Sequence, residues 1–360
     1  MLRVMNPPLS HISAALYWAA YGAPGIPEAK PLRADGLTGM DGSASLTGDL
    51  IAAVRSTGLF PSGHAFHFLV DSAAARRANK NVVCHVHSGS LPAGSLARMD
   101  NGLLVCSPAL VFVQMGSILG RAQLAEFAMM LCGIYASMPH PSEPSPPTRT
   151  PAKTPPMRPG CFAGAGVDRG LSPTDVLPRR AQITTTERLA DFVETAPSIR
   201  GAAQAKAALR YATPRSRSPM ETVACLCLTL PHRLGGYGLP KPAMNRPLPA
   251  SLSPVGNDRE YDMVFRRANR IAIVEYQGEA FHRGQRSLHR DAVRSNAVNS
   301  SDASLLFLTK QQLFDPAQFH EFALQLHARL GIRFRPTLSD FEHRRQELRR
   351  DILVPHMRQV

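Results

Sequence analysis

Two carboxylates near the C-terminal end, Asp262 and Glu275, sit where surface chemistry alone does not explain them. Asp262 interrupts the run Tyr261-Asp262-Met263-Val264-Phe265. In a strand, Tyr261, Met263 and Phe265 would share one face, and Asp262 and Val264 the other. Glu275 ends Ile271-Ala272-Ile273-Val274, on the face that Ile271 and Ile273 take. Paired in a sheet, the two acids converge, and two close anionic oxygens bind a hard cation such as Mg²⁺ or Mn²⁺. That cation polarises a phosphodiester and lowers the pKa of bound water. The plain alternative is a pair of surface charges at strand ends. A carboxylate closing so apolar a strand favours the metal reading.

Further polar residues flank this pair. His282 follows the second strand, and Arg286, Arg290 and Arg294 recur every four residues, so they share one helical face that could track phosphates. Asp291 falls beside that face. Upstream, Ser218-Pro219-Met220-Glu221 combines an N-cap, a proline at the first helical position and a Glu three residues after the cap. His85 and His87 share one face of a candidate strand with Cys84 on the other; without an evident third ligand, packing is the better reading.

The elements that must position these groups are legible in outline. Glu260 to Phe265 and Ile271 to Tyr276 read as a hairpin, Gln285 to Asn299 as a helix and Leu305 to Leu308 as a buried strand. Helices are expected over Thr184 to Val193, Ile199 to Ala212, from Ser218 to about Leu230, Asp315 to Leu330 and Ser339 to Ile352. Earlier, Ser10 opens a helix to about Ala20, and another covers Asp49 to Thr57. Phe66 to Val70, Asn81 to Val86 and Leu103 to Cys106 are strands, and Asp71 to Asn79 is a helix with an Asp cap. Ser107-Pro108 opens a helix over Leu110 to Leu119, followed by one over Arg121 to Ala136. The whole is α/β. It divides into an N-terminal α/β unit over 1–137, a Pro/Gly-rich linker over 138–180 and a larger domain over 181–360, with no internal repeat.

The chain has 360 residues and a formal charge of +14, with 31 prolines and 26 glycines. So large a basic surplus, mostly Arg, points to a polyanionic partner and above all to nucleic acid. Six cysteines at 84, 106, 132, 161, 225 and 227 form no CxxC pair, which argues against a zinc knuckle and for reduced, buried thiols in a cytoplasmic protein. No signal peptide is visible, and the longest apolar stretch, Leu110 to Ala136, is broken by Arg121 and Glu126, so no membrane partner is expected.

Asp262, then Glu275-Tyr276-Gln277-Gly278, His282, Asp291-x-x-Arg294 and Leu305-Leu306-Phe307-Leu308-Thr309 together resemble the very-short-patch-repair (Vsr)-like branch of the PD-(D/E)XK endonuclease superfamily, over about residues 200–320. The resemblance implies a restriction-endonuclease-like mixed sheet flanked by helices, and Mg²⁺ (or Mn²⁺) between Asp262 and Glu275. It gives Glu221 a second meaning, as the first-helix acid close to the metal. Gln277 stands where the superfamily typically has Lys; it can orient water only by hydrogen bonding, leaving His282 for proton transfer. The arginine helix would hold the DNA backbone. The implied activity is hydrolysis of DNA phosphodiesters in phage defence, a mobile element or DNA repair. The alternative is a catalytically inactive DNA-binding regulator or antitoxin on the same fold. Cys84-His85-Val86-His87-Ser88-Gly89 with Leu91-Pro92 and Val105-Cys106-Ser107-Pro108 is similar to the middle of AbiEi-like bacterial antitoxins. That similarity implies a regulatory N-terminal unit and a protein partner from the same operon.

Overall fold

The computed structural model describes residues 6–32, 46–60, 63–76, 80–136, 179–247, 260–278, 303–336 and 338–353. The N-terminal part opens with α1 (His11–Ala20), β1 (Ala29–Pro31), α2 (Gly48–Arg55), β2 (Phe66–Val70), β3 (Val82–Val86), β4 (Leu96–Met99) and β5 (Leu104–Cys106), then α3 (Pro108–Met115) and α4 (Arg121–Leu131). Strands β1, β4 and β5 form an antiparallel sheet, while β2 and β3 pair in parallel. Leu9 joins the two, bridging to Phe68 on one side and Val105 on the other. The start of α3 is as its sequence suggests: Ser107 accepts the Leu110 N–H, and Pro108 fills a position whose N–H would be orphaned.

Residues 71–76 are turns, not the helix expected from Asp71 onward; 77–79 lie outside the described residues. The crossover from β2 to parallel β3 is short, and the Asp71 Oδ1 that would have capped a helix is buried without a hydrogen bond. The sequence also hid β1 and β4, which are three and four residues long and show little alternation.

Three helices follow: α5 (Thr186–Thr195), α6 (Ala202–Leu209) and α7 (Pro219–Thr229). They share one continuous apolar core with α1, α3 and α4. Gly116 and Gly201 permit the closest approach, since a Cβ on Gly201 would lie 2.1 Å from the Val113 carbonyl and one on Gly116 2.4 Å from the Gly201 carbonyl. Arg180 supplies the polar tie. Its buried guanidinium donates to the carbonyls of Trp18 (2.7 Å), Tyr21 (2.9 Å) and Met130 (2.8 Å), satisfying the C-terminal ends of α1 and α4.

The remaining sheet contains β6 (Ala243–Pro247), β7 (Glu260–Arg267), β8 (Arg270–Gln277) and β9 (Ala303–Thr309), in that order. The first two pairings are antiparallel and β8–β9 is parallel. Helices α8 (Lys310–Phe314), α9 (Pro316–Arg329) and α10 (Phe341–Leu348) follow, the last running into a π-helical turn at Arg349–Leu353. Met263, Phe265, Ala272, Val274 and Leu308 join the main core. Val264, Ile273 and Leu305 on the other face form a second cluster, which Tyr261 also joins in place of following Met263 and Phe265. The class is mixed α/β. Strand β6 had no sequence signal, because Met244-Asn245-Arg246-Pro247 neither alternates nor carries β-branched residues. Cys106, Cys132, Cys225 and Cys227 are buried free thiols and Cys84 a half-buried one; Cys161 lies outside the described residues. Among the described residues, no helix is long and apolar enough to cross a membrane.

Candidate functional site

The β7–β8 ladder pairs Met263 with Val274. One step beyond the last pair of that ladder, Asp262 and Glu275 stand at adjoining positions of the two strands. The strands part there: the Tyr276 N–H turns to the Asp262 carboxylate at 2.8 Å, which fixes the side chain. The β6–β7 register likewise sets Asn245 opposite Asp262. A row therefore crosses three strands: Asn245, Asp262, Glu275. Gln277 lies on the Glu275 face two residues on, paired in register with Thr309.

Asn245 connects the row to the helix before it. Held at φ +48°, a region that Asn tolerates better than most residues, it donates through Nδ2 to Glu221 at 2.8 Å and to the Arg215 carbonyl at 2.9 Å. Glu221 is buried near the start of α7. Its carboxylate also accepts the Arg217 N–H at 2.9 Å and the Ser218 hydroxyl at 3.1 Å. Ser218 in turn accepts the Glu221 N–H at 3.2 Å. This is a capping arrangement in which the Glu reaches back to the residue before the cap. Burial, and next the charge of Asp262, push Glu221 up to about 7, against the pull of its three donors. Glu221 is therefore both a helix cap and an electrostatic neighbour of Asp262.

Among the described residues, no group of three His, Cys, Asp or Glu side chains surrounds one metal position. The oxygen chemistry still suits Mg²⁺, which commonly takes one or two protein carboxylates and completes its shell with water and substrate phosphate. Of the acids expected to bind metal, Asp262 and Glu275 stand at adjoining positions at the end of the β7–β8 ladder. Glu221, expected as a third ligand, has its carboxylate engaged by three donors. His282, Arg286, Arg290, Asp291 and Arg294 lie outside the described residues, as does the helix expected over 285–299.

Arginines crowd the edge of this row. Arg217 forms an ion pair with Glu260, the first residue of β7, and Arg215 approaches the same carboxylate at 3.5 Å. Desolvation, then the charge of Arg179, lowers the proton affinity of Arg217; Tyr135 bridges to Arg179 and the Ile134 N–H donates to the Ser216 carbonyl, which ties the two segments to one another. None of these arginines stood out in the sequence, because their proximity arises from loops far apart along the chain.

A second titratable cluster, also unforeseen, lies in the N-terminal part. His67 Nδ1 and His85 Nε2 share a hydrogen bond at 2.8 Å, and the His11 ring stacks on His85 with centroids 3.4 Å apart. His64 pairs with the Ser13 hydroxyl at 2.9 Å, and the same hydroxyl accepts the His67 N–H. Burial lowers all four: His11 well below the usual range, His64 and His85 to about 4 and His67 to about 3. Neighbouring histidines add to the effect on His11 and His67. His85 therefore belongs to a packed cluster of neutral rings; the contacts come from α1 and the β2–β3 pairing, which no local spacing reveals.

No family model, no curated protein and no solved structure matches this chain.

Proposed function

We propose that the chain is a metal-dependent phosphodiester hydrolase of the bacterial cytoplasm acting on DNA, centred on Asp262 and Glu275. The observation that carries this reading is the row itself: two carboxylates at adjoining positions where the β7–β8 ladder ends, with Asn245 linking the row to a buried third acid, Glu221. The order of elements supports it. A helix bearing Glu221, an acidic strand, a strand ending Glu275-Tyr276-Gln277-Gly278 and an apolar parallel strand are what the Vsr-like resemblance leads one to expect. The charge of +14 suits a polyanionic substrate.

Asp262 and Glu275 would hold Mg²⁺, which when bound supplies Lewis-acid polarisation of the phosphoryl oxygen. The protein's own contributions follow from its geometry. The Tyr276 N–H holds Asp262 in position. Glu221, whose proton affinity lies near neutrality, can take up or release a proton beside Asp262. Gln277, on the Glu275 face, can orient water by hydrogen bonding but cannot offer the positive charge of a lysine.

Supercoiled plasmid incubated with the full chain and Mg²⁺ or Mn²⁺ is expected to be nicked, with activity lost on adding EDTA. Asp262→Ala and Glu275→Ala should abolish nicking while leaving DNA binding intact. Binding without metal-dependent cleavage across supercoiled, linear, mismatched and single-stranded DNA would remove the hydrolase and leave a DNA-binding regulator.

A further inference from the structure

We propose that Arg179, Arg215 and Arg217 form a binding site for a nucleic-acid backbone phosphate beside the carboxylate row, with Glu260 as a built-in anion that the phosphate displaces. The inference rests on the nucleic-acid partner proposed above, but not on catalysis. It also places phosphate-holding arginines in a different part of the chain from 286–294.

The three arginines stand on one backbone frame. Arg215 N–H donates to the Cys132 carbonyl at 3.0 Å, Ile134 N–H to Ser216 at 2.9 Å and Arg180 N–H to Ile134 at 3.1 Å. Residues 132–135 thus stitch the 179–180 segment to the 215–217 segment. The buried Arg180 clamp anchors Arg179 from one side. From the other, Asn245 holds the Arg215 carbonyl, and Arg215 sits at φ +74°, a strained conformation for a residue with a side chain. Such strain persists where surrounding structure imposes it, and here it directs Arg215 and Arg217 to one carboxylate.

The guanidinium groups of Arg215 and Arg217 converge on Glu260, the side-chain anion that pairs with both among the described residues, and Arg179, on the adjoining segment, is exposed with no ion pair among those residues. The Nε–H groups of Arg215 and Arg217 are buried without acceptors. Side chains here are only partly covered, about a quarter to a third exposed for Arg215, Arg217 and Glu260, so solvent and ligand reach them. A partly exposed ion pair is weak. A phosphate offers several acceptor oxygens to planar forks built for bidentate contact, and its binding releases counterions. The position suits a substrate: Asp262 and Glu221 both influence Arg217 electrostatically, so the cradle adjoins the carboxylates.

The test is binding of labelled 20-base duplex DNA and single-stranded RNA to the full chain, by fluorescence anisotropy over a series of salt concentrations without divalent metal. Arg179→Gln and Arg217→Gln should each weaken binding roughly five- to tenfold and lower the log–log salt slope by about 1, one phosphate contact apiece. Glu260→Gln should tighten binding at least threefold by removing the internal competitor. Lys206→Gln, the same loss of charge on α6, should change neither affinity nor slope beyond ~20%. Because the exposed Arg179 side chain has no ion pair among the described residues, its variant reports on binding with little risk to folding. Whichever of the DNA and RNA arms shows this pattern identifies the ligand. Binding whose slope is unchanged in both arginine variants, or which Glu260→Gln weakens, overturns the site, as does a chain that binds neither nucleic acid. Arginine-dependent binding with no cleavage on adding Mg²⁺ upholds the site and removes the hydrolase.

Discussion

The two clusters of titratable side chains show burial acting on opposite chemistries. Around His11, His64, His67 and His85, desolvation favours the neutral base, and the rings then satisfy one another by stacking and hydrogen bonding. No charge is left to use. At Glu221, beside Asp262, desolvation again favours the neutral form, but donors from Arg217, Ser218 and Asn245 pull back, and Arg217 lies alongside. Glu221 is left near the middle of its titration at neutral pH. A buried cluster becomes reactive, by this comparison, when opposing effects nearly cancel, and inert when they all point the same way.

The largest expected contrast is in activity. Asp262→Ala should lower Mg²⁺-dependent cleavage at least a thousandfold, the rough equivalent of losing about 4 kcal/mol of transition-state stabilisation. His67→Gln should leave the rate per folded molecule within about twofold, since such a change does not touch the proposed centre. Initial rates normalised to folded protein by circular dichroism decide the matter. A His67 variant that is folded but inactive would reverse the roles of the two clusters.

Stability against pH should separate them next. A histidine whose folded pKa is depressed contributes stability above its unfolded value near 6.5, and loses it as pH falls towards the folded value. Between pH 7.5 and 5.5, His64, His67 and His85 together should lower stability by about 3 kcal/mol, after discounting for their partial exposure. Glu221 runs the other way. Its folded pKa is raised, so its contribution is full below about 4.5 and fades as pH rises through about 7. In EDTA, Glu221→Gln should therefore stabilise the protein at pH 7.5 relative to pH 5.5 by about 2 kcal/mol compared with wild type. Urea titrations at the two pH values read both effects. A wild-type profile unchanged by His85→Gln and His67→Gln together would mean that the histidines are not held neutral, and a Glu221→Gln variant that tracks wild type would mean that its burial is fully offset.

What the sequence revealed of these clusters follows from the range of the signals. Strands β7, β8 and β9 announced themselves by apolar runs, and Asp262 and Glu275 stood out as exceptions within them. The Ser218 cap is a four-residue pattern, and α7 begins there. Asn245 was invisible because β6 has no alternation and its role depends on a cross-strand register. The histidines escaped because His11, His64 and His85 come from separate elements brought together by the parallel pairing of β2 and β3 and by the bridge at Leu9. Arg215 and Arg217 lie in a loop before a helix, where no local pattern marks them; only the backbone frame through 132–135 and the pairing with Glu260 show what they face. Periodicity and capping are local and legible, whereas groups assembled from loops and registers are not.

The smallest effect offers the finest test, because two serines hold corresponding places. Ser218 accepts the Glu221 N–H and donates to its carboxylate; Ser13 accepts the His67 N–H and pairs with the His64 ring. Removing either hydroxyl leaves a hydrogen-bonding group unmatched, at about 1 kcal/mol. The difference lies in what happens on titration. As pH rises from 5.5 to 8.5 Glu221 passes from mainly protonated to ionised, so the donor lost in Ser218→Ala is needed most at the alkaline end. The destabilisation should grow by about 1 kcal/mol across that range, since a hydrogen bond to a charged group is worth roughly twice one to a neutral group. His64 and His67 are neutral throughout it, so the effect of Ser13→Ala should stay constant to within about 0.3 kcal/mol. Chemical denaturation of both variants at pH 5.5, 7 and 8.5 measures the two slopes. Equal slopes would mean that Glu221 does not titrate in this window, and with that the distinction between a poised cluster and an inert one would collapse.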